Sequence, residues 1–168
     1  ITGKSYGELS LEQDFRTLGG GTFLSDIQLT GKIDRIERLP DDSLIITDYK
    51  TWGGFSVFDG KWADYMKIKQ WKYRLQLAFY AILFELSPRY RMFTKKQFEL
   101  FFVEKDAKEG IFHRIIEYVH DGEIDRTKRL IMAVMKHIRE LSFPDTSHYE
   151  KNIDGIRQFE DDLINWQI

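Results

Sequence analysis

Residues Gly31–Thr51 read GKIDRIERLPDDSLIITDYKT. Two β-prone runs, KIDRIER and SLIITDYKT, flank Leu39–Ser43, where a proline and two aspartates mark a turn. The stretch is expected to fold as an antiparallel hairpin. Side chains of a strand alternate faces, so Asp48 and Lys50 share one face with Leu44 and Ile46, which makes it the core side. A carboxylate and an ammonium group there are costly to desolvate unless something compensates. Asp34 lies across the turn and would meet Asp48 once the hairpin pairs. A divalent cation with a phosphate-bearing ligand would offset both charges.

The donor chemistry is consistent with such an ion. Mg²⁺ takes oxygen ligands and usually only one or two carboxylates, the rest being water and substrate phosphate. Asp34, Asp48, the backbone carbonyl of Tyr49 and solvent would make that set. Lys50 beside it would position a nucleophile or stabilise charge growing on phosphoryl oxygens. The competing reading is a surface hairpin with an Asp–Lys pair of small energetic consequence. The Asp-x-Lys triplet alone does not separate the two.

Outward from the hairpin, Leu9–Leu18 is expected as a short helix ended by Gly19–Gly21, and Thr22–Arg38 as extended with a bend near Thr30 and Gly31. Gly53–Gly60 is expected as a loop. Asp64–Leu86 carries Ile68, Trp71, Leu75, Ala78 and Ile82 at helical spacing, and the half after Leu75 is apolar nearly all round, so a centrally packed helix is predicted. Ser87 and Pro88 stop it. Gln97–Glu104 and Ile111–His120 read as strands. Asp125–Leu141 reads as an amphipathic helix with Leu130, Ala133, Val134, His137 and Ile138 inward, and Tyr149–Trp166 as a last helix. Strands, helix, strands and helices in that order predict an α/β (α+β) fold, a mixed sheet with helices packed against it.

A chain of 168 residues suits one domain over 1–168 with a substantial core. Its first residue is Ile, and the first element looks cut into, so a fragment of a longer chain is expected. The absence of cysteine excludes disulfides, thiolate zinc, cysteine nucleophiles and iron–sulfur clusters, and fits a reducing, cytoplasmic setting. No apolar run reaches the length of a membrane span and no signal peptide is visible. The net charge of −2 gives no global electrostatic case for nucleic acid. Locally, Lys61, Lys67, Lys69, Lys72 and Arg74 form a basic run and Glu160–Asp162 an acidic one, though such runs are usually solvated faces. His113, His120, His137 and His148 are assigned structural or surface roles.

One wider pattern is more specific. Gly-x-x-Asp at Gly31–Asp34, Asp-Tyr-Lys-Thr at Asp48–Thr51 and Gln-x-x-x-Tyr at Gln76–Tyr80 together resemble the RecB-type branch of the PD-(D/E)XK nuclease superfamily. The likeness runs over roughly Leu29–Leu86. It implies a restriction-endonuclease-like core and Mg²⁺- or Mn²⁺-dependent hydrolysis of DNA. By that resemblance Asp34 and Asp48 bind the metal, Lys50 is catalytic, and Gln76 and Tyr80 stand on the substrate side. Gln76 and Tyr80 are four apart on one helix edge with Lys72 a turn earlier, so Lys72 is expected to contact the DNA backbone. Similar domains often accompany DNA-repair helicases, so a helicase domain in the parent chain is an expected partner. Many RecB-type members carry a metal-binding His on a helix before the Gly-x-x-Asp strand, and no histidine occurs before Gly31. Glu8, Glu12 or Asp14 would be the nearest acidic substitutes. The alternative reading is a nuclease fold that has lost catalysis and binds DNA or a protein.

Overall fold

The computed structural model describes residues 13–14, 22–51, 64–93, 95–105, 110 and 112–165. The expected hairpin forms: β5 (Arg35–Arg38) pairs antiparallel with β6 (Leu44–Lys50), Arg35 opposite Thr47 and Arg38 opposite Leu44. Its turn is closed by the Leu39 amide donating to the Ser43 carbonyl at 2.8 Å and the Asp42 amide to the Leu39 carbonyl at 3.0 Å. Asp42 takes the left-handed conformation, φ 61°, that Asp tolerates better than most residues.

From β6 the chain passes through α1 (Asp64–Leu86) to β7 (Lys96–Lys105), which lies parallel to β6 with Asp48 opposite Leu100. A parallel pair needs such a crossover. β8 (Phe112–Glu117) completes a mixed four-stranded sheet of order β5-β6-β7-β8. α1 spans the predicted limits and ends where the Ser87 carbonyl accepts from the Tyr90 and Arg91 amides, with Pro88 between. Helices α2 (Asp121–Glu140) and α3 (Ile153–Ile164) follow.

Burial explains the layering. Ile36, Leu44, Ile46, Leu100 and Phe102 on the sheet face the buried Leu77, Ala81 and Phe84 of α1. Alternation along β6 is as expected, with Leu44, Ile46 and Asp48 buried on the same face. The opposite face carries Thr47 and Glu99, also buried, the Glu99 carboxylate 3.3 Å from Arg114 Nε.

Several expectations need correction. Gln13–Asp14 form a strand, β1, paired with β4 (Lys32–Ile33), rather than part of a helix. The rest of Leu9–Leu18, the Gly53–Gly60 loop and Trp166 lie outside the described residues. Thr22–Arg38 is not one bent strand: β2 (Thr22–Leu24) and β3 (Ile27–Leu29) form their own hairpin, turning at Ser25 with φ 55°. No Gly or Asn announces that turn. α2 starts four residues earlier than predicted, where the Glu123 carboxylate accepts from the His120 amide at 3.1 Å. On α2, Val134 and Ile138 are exposed rather than inward; Thr127, Ala133 and His137 are buried. The last helix starts at Ile153, where Asn152 accepts hydrogen bonds from the Asp154 and Gly155 amides.

Gly31 brings the β3–β4 ribbon against α1. A Cβ there would collide with Cδ1 of Leu83, which is fully buried. Gly31→Ala should therefore lower stability by about 1–3 kcal/mol through overpacking, seen as a lower urea midpoint at unchanged slope. A second expectation concerns Glu99. Burial raises its carboxyl above the ordinary value, a push that Arg114 and Arg35 only partly offset. A group bound more tightly to its proton in the fold favours folding below its unfolded pKa, and that contribution is lost as pH rises through its folded one. Glu99→Gln should remove this slope, so Tm measured from pH 4 to 7 should fall less, or rise more, than in the wild type.

Candidate active site

The hairpin and the middle of α1 meet at Asp48. Its residue is 5% exposed, and α1 supplies the partners that make the burial tolerable. Gln76 Nε2 and the Tyr80 hydroxyl each donate to Asp48 Oδ1, both at 2.9 Å, and Gln76 Nε2 also lies 2.8 Å from the Tyr80 oxygen. Lys50 Nζ donates to Gln76 Oε1 at 2.7 Å. The same ammonium stands 2.5 Å from Asp48 Oδ2, yet Oδ2 accepts no aligned hydrogen bond. That oxygen is ion-paired and retains acceptor capacity. The Gln76 side-chain amide thus bridges the two charged groups.

Asp34 sits at the bend between β4 and β5, one step beyond the Arg35–Thr47 pair. Its Oδ2 accepts the Tyr49 amide at 2.8 Å, which ties it to the strand segment between Asp48 and Lys50. Its charge is also felt at Tyr80. The structure therefore brings Asp34, Asp48, Tyr49, Lys50, Gln76 and Tyr80 together. Lys72 is placed differently: exposed on α1, it lines a groove between α1 and α2 together with Gln76.

Tyr73 and Lys69 of α1, which the sequence motifs do not mark as site residues, stand beside this cluster. Lys50 Nζ lies 4.6 Å from the centre of the Tyr73 ring, and Lys69 Nζ lies 5.9 Å from the same centre. Burial and the neighbouring Lys50 lower the Lys69 pKa. The signal was present: Lys69, Tyr73, Gln76 and Tyr80 recur at spacings of four, three and four, one edge of a helix. One member of the basic run is spent elsewhere. Arg74 pairs with Glu117 on β8 and Glu123 on α2. The acidic run is structural too, because Glu160 accepts from Trp71 Nε1 at 3.1 Å and from Arg126 Nη2 at 3.2 Å.

A divalent ion fits this donor set on chemical grounds. The donors are hard oxygens: two carboxylates, one keeping the underused Oδ2 of Asp48, with the Tyr49 carbonyl at the same point of the chain. Among the described residues no three acidic or histidine side chains gather into a metal cluster, so the fit is to an ion that keeps water or phosphate oxygens in most positions. Asp14 lies in β1 opposite Lys32, while Glu8 and Glu12 lie outside the described residues.

Burial, and then the Asp48 charge, push the Tyr80 phenol well above its ordinary value. It remains a protonated donor to Asp48 at any pH at which the protein works. Tyr80→Phe should cost about 1 kcal/mol of stability, since Gln76 still serves Asp48 Oδ1. It should leave the tyrosinate absorbance gained by pH 11 unchanged, because Tyr80 does not contribute to it; a smaller gain in the variant would contradict the assignment.

Among the described residues no helix is long and apolar enough to cross a membrane. No curated protein and no solved structure gives a significant match to the chain. The sequence profile of the PD-(D/E)XK nuclease superfamily, however, matches residues 3–152, most of the chain. The mixed four-stranded sheet with its parallel β6–β7 pair, crossed by α1, is consistent with the restriction-endonuclease-like fold of those enzymes. By that match, and with the fold agreeing, this chain belongs to the PD-(D/E)XK nuclease superfamily.

Proposed function

We propose that residues 1–168 act as a single RecB-type nuclease domain that hydrolyses DNA phosphodiester bonds with Mg²⁺ or Mn²⁺. The observation that carries this reading is the closed set Asp48–Gln76–Lys50, with Asp34 tied to the Tyr49 amide beside it. Surface Asp–Lys pairs are worth little and buried ones roughly break even against desolvation. A pair whose side chains are 6% and 15% exposed is therefore better explained by chemistry than by stability.

Asp34, Asp48 and the Tyr49 carbonyl would hold the cation. When bound, it supplies Lewis-acid polarisation of the scissile phosphate and makes nearby water more acidic. Gln76 fixes the Lys50 ammonium through its carbonyl oxygen and Asp48 through its amide nitrogen, so neither has to reorganise as charge develops. Lys50 stabilises the negative charge that builds on the phosphoryl oxygens while water adds to phosphorus and the P–O bond to the leaving group breaks. Tyr80 holds Asp48 from the opposite side. Lys72 and Lys69 favour approach of a polyanion. The setting we infer is DNA repair or recombination in the cytoplasm, beside a helicase domain; it rests on the RecB-type motif pattern.

Incubation of plasmid and linear DNA with Mg²⁺ or Mn²⁺ tests the reading. Cutting should require the divalent ion and fall roughly 10²- to 10³-fold in Lys50→Ala, with the far-ultraviolet circular dichroism unchanged. Calorimetric binding of the ion should disappear in Asp48→Ala. Undiminished cutting by Lys50→Ala would reject the mechanism.

A further inference from the structure

Lys69 stands two turns before Gln76 on the same edge of α1, about 10 Å away along the helix axis. It is partly buried. Tyr73 lies between the two, and its ring gathers two cations, Lys50 Nζ at 4.6 Å from the ring centre and Lys69 Nζ at 5.9 Å. Phe102 braces that ring edge-on, the two centres 6.4 Å apart, and is itself buried on β7 directly opposite Lys50. The two ammonium groups are not equivalent. Lys50 has the Asp48 carboxylate and the Gln76 side-chain oxygen against it. At Lys69, burial and then the Lys50 charge both act against the ammonium form and lower its pKa.

We propose that Lys69, beside the Tyr73 ring, forms a second phosphate site, which takes the backbone phosphate next to the scissile one. The inference rests on the nuclease reading of the Asp48–Lys50 site. It adds a residue that binds the substrate without touching the reacting phosphorus. A ring face attracts a cation modestly and does not offset the repulsion between two of them. An anion seated near both ammonium groups does, because each then gains an opposite charge. A phosphodiester strand carries such anions at regular intervals. With one phosphate at Lys50, its neighbour can follow the edge of α1 on which Lys69 stands. A purely structural staple joining α1 to β6 through the Tyr73 ring would need Lys50 alone. Lys69 belongs to the same helix as Tyr73, so its contact with that ring ties no second element to the helix.

The test is fluorescence anisotropy of a labelled oligothymidylate, titrated with salt in the absence of divalent metal. Each phosphate neutralised on a single strand contributes about −0.7 to the slope of log K against log salt. Lys69→Ala and the longer Lys69→Gln should each bring the slope about 0.7 closer to zero, and Lys69→Arg should retain it. Lys95→Ala, at an exposed lysine by the far end of the β6–β7 pair, should leave the slope unchanged. With Mg²⁺ present, the Ala and Gln variants of Lys69 should raise KM at unchanged kcat, whereas Lys50→Ala lowers kcat. A slope unchanged in both folded variants, or an equal loss in Lys95→Ala, would overturn the second site. A fall in kcat at unchanged KM would overturn it too, by moving Lys69 onto the scissile phosphate. Normal cutting with a slope insensitive to Lys69 rejects this inference alone. A shallower slope in the Lys69 variants of a protein that cuts nothing would sink the nuclease reading and keep Lys69 as a phosphate contact.

Discussion

A carboxylate on the core face of a strand can be kept only if the element packed over it supplies polar partners. Asp48 imposes that condition here, and α1 meets it with Gln76 and Tyr80. The rotation of α1 about its axis follows. With that edge turned to Asp48, Leu77, Ala81 and Phe84 enter the core, while Trp71, Leu75 and Phe79 turn toward α2. Apolar burial supplies most of the stabilising free energy. The polar contacts settle which face of the helix is used, since a different rotation would leave a buried charge unsatisfied.

Charge in this protein falls into two sets with different consequences. Arg74 and Arg126 are matched by acids from neighbouring elements, Glu117 and Glu123 for the first, Glu160 and Asp161 for the second. These pairs tie α1 to β8 and α2, and α2 to α3. The other set gathers at the end of β6, where Lys50 and Lys69 approach one Tyr73 ring although they repel each other. Crowded like charge is a poor way to stabilise a fold and a good way to hold an anion.

Gln76 joins the polar network at Asp48 to the apolar groove between α1 and α2. Its amide oxygen and nitrogen are both used within the polar network, while its place on α1 also borders the apolar groove. Gly31 contributes to the same arrangement from the other side, because the absence of a Cβ lets the ribbon bearing Asp34 close on Leu83.

The sequence by itself determined the hairpin, the shared face of Leu44, Ile46, Asp48 and Lys50, and the limits of α1. Strand alternation is strict and Ser87–Pro88 is a strong stop, so these depend on local rules alone. Less was legible where the signal is not local. The turn at Ser25 uses a residue with no special preference for positive φ. The outward position of Val134 and Ile138 depends on how α2 packs against its neighbours, which periodicity does not report. Only the tertiary structure decided that Lys69 and Tyr73 join the site, that Lys72 turns to the groove, and that Arg74 and Glu160 serve as internal ties. Each depends on which faces of separate elements meet. That choice is made by packing and by the need to satisfy a buried carboxylate, across residues far apart in the chain.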